Sequence, residues 1–360
     1  MNNTSDEKRS IGAGRIIQGG LAIGGFGLFV MLVREVDFAS IPSISTLPLF
    51  LLCIAALTFV NYSFDTFSWW LVAGDNRPSF WTLMSIRARG EALTNLLPGG
   101  ALIGEPMKVA MLMRGSTMTR AEAATAFLLG KFALILGHAG YVVAGLALSF
   151  GMIDAASERV FGTAHFAIIA LCVAGGIFLL LITLLVIMVR LRPASRWIPK
   201  GRGEGRWGRR WSSAVSELRT IEILIADATR RHHLRMGLAI LCGFIAWSLN
   251  AVEAFMIIRW LGIDIAFTHA YAIDGVSSVV RMILFVLPIG IGGQDWAITG
   301  LMMIAGVPDP VTTGARFVVL KRAREFAVIA IGLVLLAVKL KEPALANVQG
   351  INAGPDRSDM

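Results

Sequence analysis

The sequence predicts an all-α fold: a polytopic membrane helix bundle of about six full crossings plus two re-entrant helical hairpins, arranged as an inverted repeat. Three observations predict it. Of 360 residues, 56% are apolar and only 16% are charged, whereas soluble domains carry roughly a quarter charged residues. Six apolar runs reach the ~20 residues that one bilayer crossing requires. Two further apolar stretches are broken by Pro and Gly at matching places in the two halves of the chain. The mean hydropathy of +0.69 excludes a disordered tail, a collagen, a disulfide scaffold and most soluble enzymes. So many crossings leave no room for a sizeable soluble catalytic domain beside them.

The elements follow in order. Residues 1–15 are polar and read as a cytoplasmic N-terminus. The run 16–33 has no clean small-residue cleavage site after it, so it reads as a retained first helix rather than a removed signal peptide. Its Gly20-x-x-x-Gly24 suits close helix packing. Runs at 47–73, 121–150 and 165–190 complete the crossings of a first membrane half, 16–190. Runs at 236–260 and 315–340 belong to a second, 236–340. The hairpins are placed near 79–113 and near 265–306. Irregular backbone is not tolerated against lipid, so their breaks must be buried in protein or line a wet cavity. Residues 341–360 read as a disordered C-terminal tail. Cys53, Cys172 and Cys242 lie far apart in apolar runs and read as small buried hydrophobes. Trp69, Trp70 and Trp260 sit near helix ends and suit an aromatic belt.

The formal charge is +9, and its placement sets the orientation. Residues 191–235 hold eleven Lys and Arg against four acids, which makes that loop cytoplasmic. Residues 34–46 and 151–164 carry few cations and face outward. The segment from Trp211 to Thr229 reads either as a short surface helix or as a solvated linker meeting anionic lipid.

Self-comparison sets Pro98 against Pro288, an offset of 190 residues. Gly100 then matches Gly290, Glu105 matches Asp295, Lys131 matches Lys321, and Leu146 matches Leu336. One residue out of register, Asn61 with Asp65 resembles Asn250 with Glu253. Halves entering from opposite sides, with paired Gly/Pro-broken segments, are the pattern of secondary transporters, whose binding site those breaks mark. The helix-breaking residues are Pro98, Gly99, Gly100 and Gly104 in the first half, and Pro288, Gly290, Gly292 and Gly293 in the second.

Cations at membrane depth are costly, by at least about 2.5–3.5 kcal/mol each, and mark function. Lys131 lies about ten residues inside its helix, ~15 Å deep. His138 follows two turns later on the same face. In the last helix, Lys321, Arg322, Arg324 and Glu325 cluster, and the spacing predicts a Lys321–Glu325 pair. That cluster reads either as a buried site or as an interfacial anchor with the span starting near Phe326. Helices starting at Gly104-Glu105-Pro106 and at Gly293-Gln294-Asp295 would aim free N–H groups into the hairpins, where a phosphate headgroup would be attracted. Arg87, Arg89 and Lys131 on one side, with Arg281, Lys321 and Arg324 on the other, complete a cationic path. Glu105 and Asp295 cap the helices, bind an amine or carry a proton.

There is no Gly-x-Ser-x-Gly, His-Glu-x-x-His or Walker A motif, and His232 with His233 lack metal-ligand spacing. No catalytic residue, metal or cofactor is expected from these patterns.

Two stretches resemble a known family. Asn95-Leu96-Leu97-Pro98-Gly99-Gly100 with Gly104-Glu105 resembles the first signature of the flippase-like membrane region of lysylphosphatidylglycerol synthases. Leu287-Pro288 through Gly293-Gln294-Asp295, followed by Lys321-Arg322-Ala323-Arg324-Glu325, is similar to the branch encoded in hopanoid-biosynthesis loci. Asp295 stands where that pattern has Glu, and Ile289 where it has a small residue. The resemblance implies a multi-pass protein of the bacterial inner membrane that moves or handles lipids. The chain reaches Met360 without the soluble aminoacyl-transfer domain, so lysyl transfer is not implied. The expected function is a lipid transporter or flippase for an anionic phospholipid or an isoprenoid, hopanoid-type lipid. The alternatives are an integral membrane lipid-modifying enzyme using Glu105, His138 or Asp295, and a membrane scaffold. Expected partners are a membrane lipid and either a second copy or lipid-biosynthesis proteins, with no nucleic acid.

Overall fold

The computed structural model describes residues 30–31, 34, 46–96, 100–162, 165–197, 206–283 and 292–352, and these form an all-helical bundle. In chain order the helices are α1 (Leu47–Val72), α2 (Phe80–Leu96), α3 (Ala101–Gly115), α4 (Arg120–Leu148), α5 (Phe150–Phe161), α6 (Phe166–Leu191), α7 (Pro193–Trp197), α8 (Arg206–Arg231), α9 (His233–Trp260), α10 (Phe267–Ile283), α11 (Gly293–Ile304) and α12 (Pro310–Asn352).

Local chemistry explains where several of them start. Pro48 sits in the first turn of α1, where its missing N–H costs nothing. Thr119 and Glu122 form a reciprocal capping box at the start of α4: Glu122 Oε2 accepts from the Thr119 N–H at 2.7 Å, and Thr119 Oγ1 accepts from the Glu122 N–H at 3.3 Å. Helix α11 starts at Gly293, where Asp295 Oδ2 accepts from the Gly292 N–H at 2.9 Å. Gly292 has φ +85°, a left-handed conformation that side chains disfavour.

Four of the described helices, α1, α4, α6 and α9, are long and apolar enough to cross a bilayer. The outer face of α6 presents exposed Ile168, Ile169, Val173, Ile177, Leu179 and Leu180, a surface suited to hydrocarbon. Helix α12 is 43 residues long and carries its charged cluster, Arg316 to Glu325, in its first half, ahead of the apolar run from Phe326 to Val338. It continues through Asn352, into the segment expected to be a disordered tail. The loop 191–235 contains α7 and the amphipathic α8, which packs on α4 and α6. Apart from residues 30–31, the first run lies outside the described residues, its glycine motif included. Trp69 does not belong to an aromatic belt: it is 5% exposed, and its indole N–H donates to the Ala126 carbonyl at 3.0 Å. Cys53 and Cys172 lie on the outer surface rather than in the core, and only Cys242 is buried.

The order long helix, two-helix hairpin, long helix occurs twice. It runs α1, α2–α3, α4 and again α9, α10–α11, α12. The first helices of the two units pack on each other in antiparallel fashion. Phe50 stacks on Trp260 with centroids 4.4 Å apart, Asn61 donates to the Ala246 carbonyl at 2.5 Å, and Ser68 donates to the Ala239 carbonyl at 2.7 Å. The hairpins are exchanged between units: α2 packs on α12 and α10 packs on α4. Small residues permit the close approach. A Cβ on Gly332 would lie 2.4 Å from the Ala88 carbonyl oxygen, and one on Gly137 would lie 2.5 Å from the Phe244 backbone nitrogen. Antiparallel pairing of matched helices, with reciprocal hairpins, is what a two-fold relation lying across the helix axes produces.

Candidate functional site

Charged side chains from both units converge where the units meet. In the first unit, Arg87 of α2 bonds Asp65 of α1 at 2.5 Å and Glu91 of its own helix at 3.1 Å. Its guanidinium lies 4.0 Å over the Tyr62 ring, and the Tyr62 hydroxyl donates to Glu91. Glu105 of α3 holds two lysines on one oxygen: Lys131 of α4 at 2.6 Å and Lys108 at 3.4 Å. Its other oxygen, Oε2, is buried without a hydrogen-bond partner. Lys108 is 5% exposed, and its stem passes over Gly90, where a Cβ would lie 2.3 Å from Lys108 Cγ.

In the second unit, Lys321 of α12 pairs with Asp274 of α10, and Asp274 also accepts from the Tyr141 hydroxyl at 2.8 Å. Arg322 bridges Asp295 at 2.5 Å and Glu325 at 2.6 Å. Glu325 further takes Arg281 at 2.8 Å. Arg324 faces Glu253 of α9 at 3.0 Å. Leaving a buried ion unpaired costs several kcal/mol, so a cluster like this persists only because its members satisfy one another. Asp65, Glu91, Glu105, Glu253, Asp274, Asp295 and Glu325 stand against Arg87, Lys108, Lys131, Arg281, Lys321, Arg322 and Arg324, seven of each sign.

A cavity of about 290 Å³ lies among them, lined by both units and by all four hairpin arms. Of the residues expected from sequence, Arg87, Glu105, Lys131, Arg281, Lys321, Arg324 and Glu325 line it. Arg322 and Asp295 lie behind its wall, 3% and 1% exposed, and tie α12 to α11. His138 also sits behind the wall, hydrogen-bonded at 2.7 Å to Ser278, which lines the cavity. Arg89 is not brought to it; its Nε donates to the Ser85 carbonyl one turn back. Gly100 accepts from the N–H of Ile103 and of Gly104, and Gly104 packs against Thr94 across the hairpin. Pro98, Gly99, Pro288 and Gly290 lie outside the described residues.

Three expectations need correction. Lys321 does not pair with Glu325, because Asp274 is within reach and Arg281 and Arg322 already occupy both oxygens of Glu325. Helix α3 starts at Ala101 rather than at Gly104, which places Pro106 inside it and leaves no free N–H groups at Glu105 to attract an anion. The two matched acids therefore differ: Asp295 caps α11, whereas Glu105 is a lysine counter-ion. The charged cluster of α12 is no interfacial anchor, since Lys321, Arg322 and Glu325 are all buried.

Sequence reasoning missed Lys108. Its signal was available, as a lysine three residues after Glu105 inside an apolar stretch. Asp65, Glu91, Glu253 and Asp274 were visible acids whose partners only the packing assigns. Among the described residues no group of three or more His, Cys, Asp or Glu side chains is arranged to hold a metal ion. The arrangement can hold a polar or charged group inside an apolar bundle by exchanging its own ion pairs for contacts with that group. No curated protein and no solved structure matches the chain. Residues 17–336, nearly the whole chain, match the family model described as the lysylphosphatidylglycerol synthase TM region, and the protein belongs to that family.

Proposed function

We propose that this protein moves a membrane lipid between leaflets, holding the polar headgroup in the cavity between the two units. One observation carries the reading: a cavity lined by ion pairs from both units sits inside a bundle whose outer face is apolar. Ionisable residues in such a place are costly and mark a substrate path, and paired broken segments are where transporters bind. Family membership supports a lipid-related role. The lipid class is an anionic phospholipid or an isoprenoid lipid of the hopanoid type, in keeping with the resemblance of the Lys321-to-Glu325 run to the hopanoid-locus branch. The setting is the bacterial inner membrane with the N-terminus cytoplasmic, following the basic loop 191–235.

Reconstituted in liposomes, the protein should speed translocation of a fluorescent anionic phospholipid. Lys131→Ala and Lys321→Ala should each slow it at least tenfold. Unchanged rates in both would remove the cavity from the mechanism.

A second reading has its own observation. The unpartnered Oε2 of Glu105 is a buried carboxylate oxygen free to act as a base, which suits a lipid-modifying enzyme. Mass spectrometry of lipids from a deletion strain separates the two. A missing lipid species favours the enzyme; a normal set of lipids on the wrong leaflet favours transport.

A further inference from the structure

A second, larger space of about 590 Å³ lies between α1, α2 and α12. It is bounded almost wholly by hydrocarbon, including Ile54 and Ala55 of α1, Met84 of α2, and Ala327 and Ile331 of α12. Its outer lip carries Leu51, Phe59, Trp81 and Ile331, large apolar side chains that are half or more exposed or nearly so. Its inner end shares Tyr62, Arg324 and Val328 with the charged cavity. An apolar compartment and a charged one therefore meet at a wall made of one ring, one guanidinium and one small aliphatic group.

The internal repeat shows that this opening is no casual crease. At the offset of 190, Trp81 corresponds to Tyr271, Ala327 to Gly137 and Ile331 to Tyr141. In that second location the helices are in contact. A Cβ on Gly145 would lie 2.9 Å from the Tyr271 ring, and the rings of Tyr141 and Tyr271 stand 4.6 Å apart. His138 and Trp247 fill the remainder at 4.1 Å. One unit thus seals with glycines and aromatic rings the space that the other keeps open.

We propose that the groove between α1, α2 and α12 holds the hydrocarbon chain of a membrane lipid whose headgroup occupies the charged cavity. The inference rests on the lipid reading of that cavity and adds where the rest of the molecule lies. The continuity of the two compartments is the reason to commit to an amphiphile. A groove open to the lipid-facing surface and joined to a charged cavity matches both halves of such a molecule, and a wholly apolar occupant would leave the cavity end uncompensated. The volume also falls in the ~300–1,000 Å³ range of small-molecule sites.

The test is photocrosslinking in liposomes with a phospholipid carrying a diazirine in its acyl chain, followed by peptide mass spectrometry. Adducts should concentrate on the groove faces of α1 and α12. Ala55→Trp and Ala327→Trp, both at exposed positions where a larger side chain can be accommodated, should each cut groove adducts at least fivefold. Adducts on Leu179 and Leu180 of α6, which report protein content and folding, should not change. Even labelling of α1, α6 and α12 that neither tryptophan alters would overturn the groove assignment; the lipid reading would survive if Lys131→Ala still slowed translocation in the same vesicles. Groove labelling with no effect of Lys131→Ala or Lys321→Ala on translocation would instead defeat the cavity reading, and the proposal with it. Crosslinks joining two copies of the chain at the groove, in place of lipid adducts, would also overturn it.

Discussion

Lys321 of α12 and Asp274 of α10 form a buried ion pair across 47 residues of sequence, although Glu325 stands one turn away on the lysine's own helix. Asp274 binds a second donor, the Tyr141 hydroxyl, which joins the pair to α4. Three elements are thus fastened through one carboxylate.

That geometry predicts an uneven response to mutation. Lys321→Met alone strands a buried carboxylate and should destabilise the protein by about 3–5 kcal/mol. The double change Lys321→Met with Asp274→Leu should recover most of this loss. Recovery stays incomplete by about 1–3 kcal/mol, because the Tyr141 hydroxyl then lacks its acceptor; adding Tyr141→Phe should supply the remainder. Denaturant unfolding in mixed micelles measures the series. A double variant no more stable than the single one would show that the pair is not the fastening point.

Two glycines should respond differently. Gly137→Ala places a methyl group 2.5 Å from the Phe244 backbone nitrogen, which cannot rotate away. The α4–α9 seam must spread, at a cost of about 1–3 kcal/mol or more. Gly90→Ala meets only the flexible stem of Lys108. It should leave unfolding within about 1 kcal/mol of the parent while moving Lys108 off Glu105, and so alter lipid translocation. Thermal unfolding and the liposome assay together decide; equal destabilisation by both changes would contradict the contacts.

The capping box of α4 offers a change remote from the cavity. Thr119→Ala removes an acceptor from the Glu122 N–H and should cost about 0.5–2 kcal/mol. Lipid translocation at a temperature well below unfolding should match the parent protein. A large loss of transport with normal stability would place the α4 start in the mechanism.

Orientation is tested by labelling. In a background with the native cysteines replaced, Ala155→Cys should react with a membrane-impermeant maleimide added outside intact cells, and Gly205→Cys should react only after permeabilisation. Residue 155 is exposed on α5, and 205 precedes α8 within the basic loop. The opposite pattern would reverse the orientation assigned from Lys and Arg counts.

Much of the architecture was readable because bilayer thickness fixes helix length. Runs 47–73, 121–150, 165–190 and 236–260 became α1, α4, α6 and α9 with ends shifted by at most a few residues. The matched breaks anticipated two hairpins, and the depth of Lys131 within its helix pointed at the cavity. Partner choice was not readable. A helix offers Glu325 to Lys321 by spacing alone, but Asp274 arrives only when the second hairpin folds back, and sequence distance says nothing about that. Pro106 misled for a local reason. Proline favours the first turn, yet the Gly100 carbonyl already starts the turn by accepting from Ile103 and Gly104, so the helix begins at Ala101, three residues before the expected Gly104. Lys108 was visible as a lysine in an apolar stretch, but the room for its stem beside Gly90 of another helix was not.

The seven-against-seven balance has an electrical consequence. With every pair ionised, the cluster as a whole carries no net charge, so a conformational change that moves it together would carry little charge through the membrane field. On the proposed transport reading, the cargo is then the main source of voltage sensitivity. Each elementary charge carried across is worth about 2.3 kcal/mol per 100 mV. The slope of translocation rate against membrane potential therefore counts the charge on the headgroup: flat for a zwitterionic or neutral lipid, steep for an anionic one.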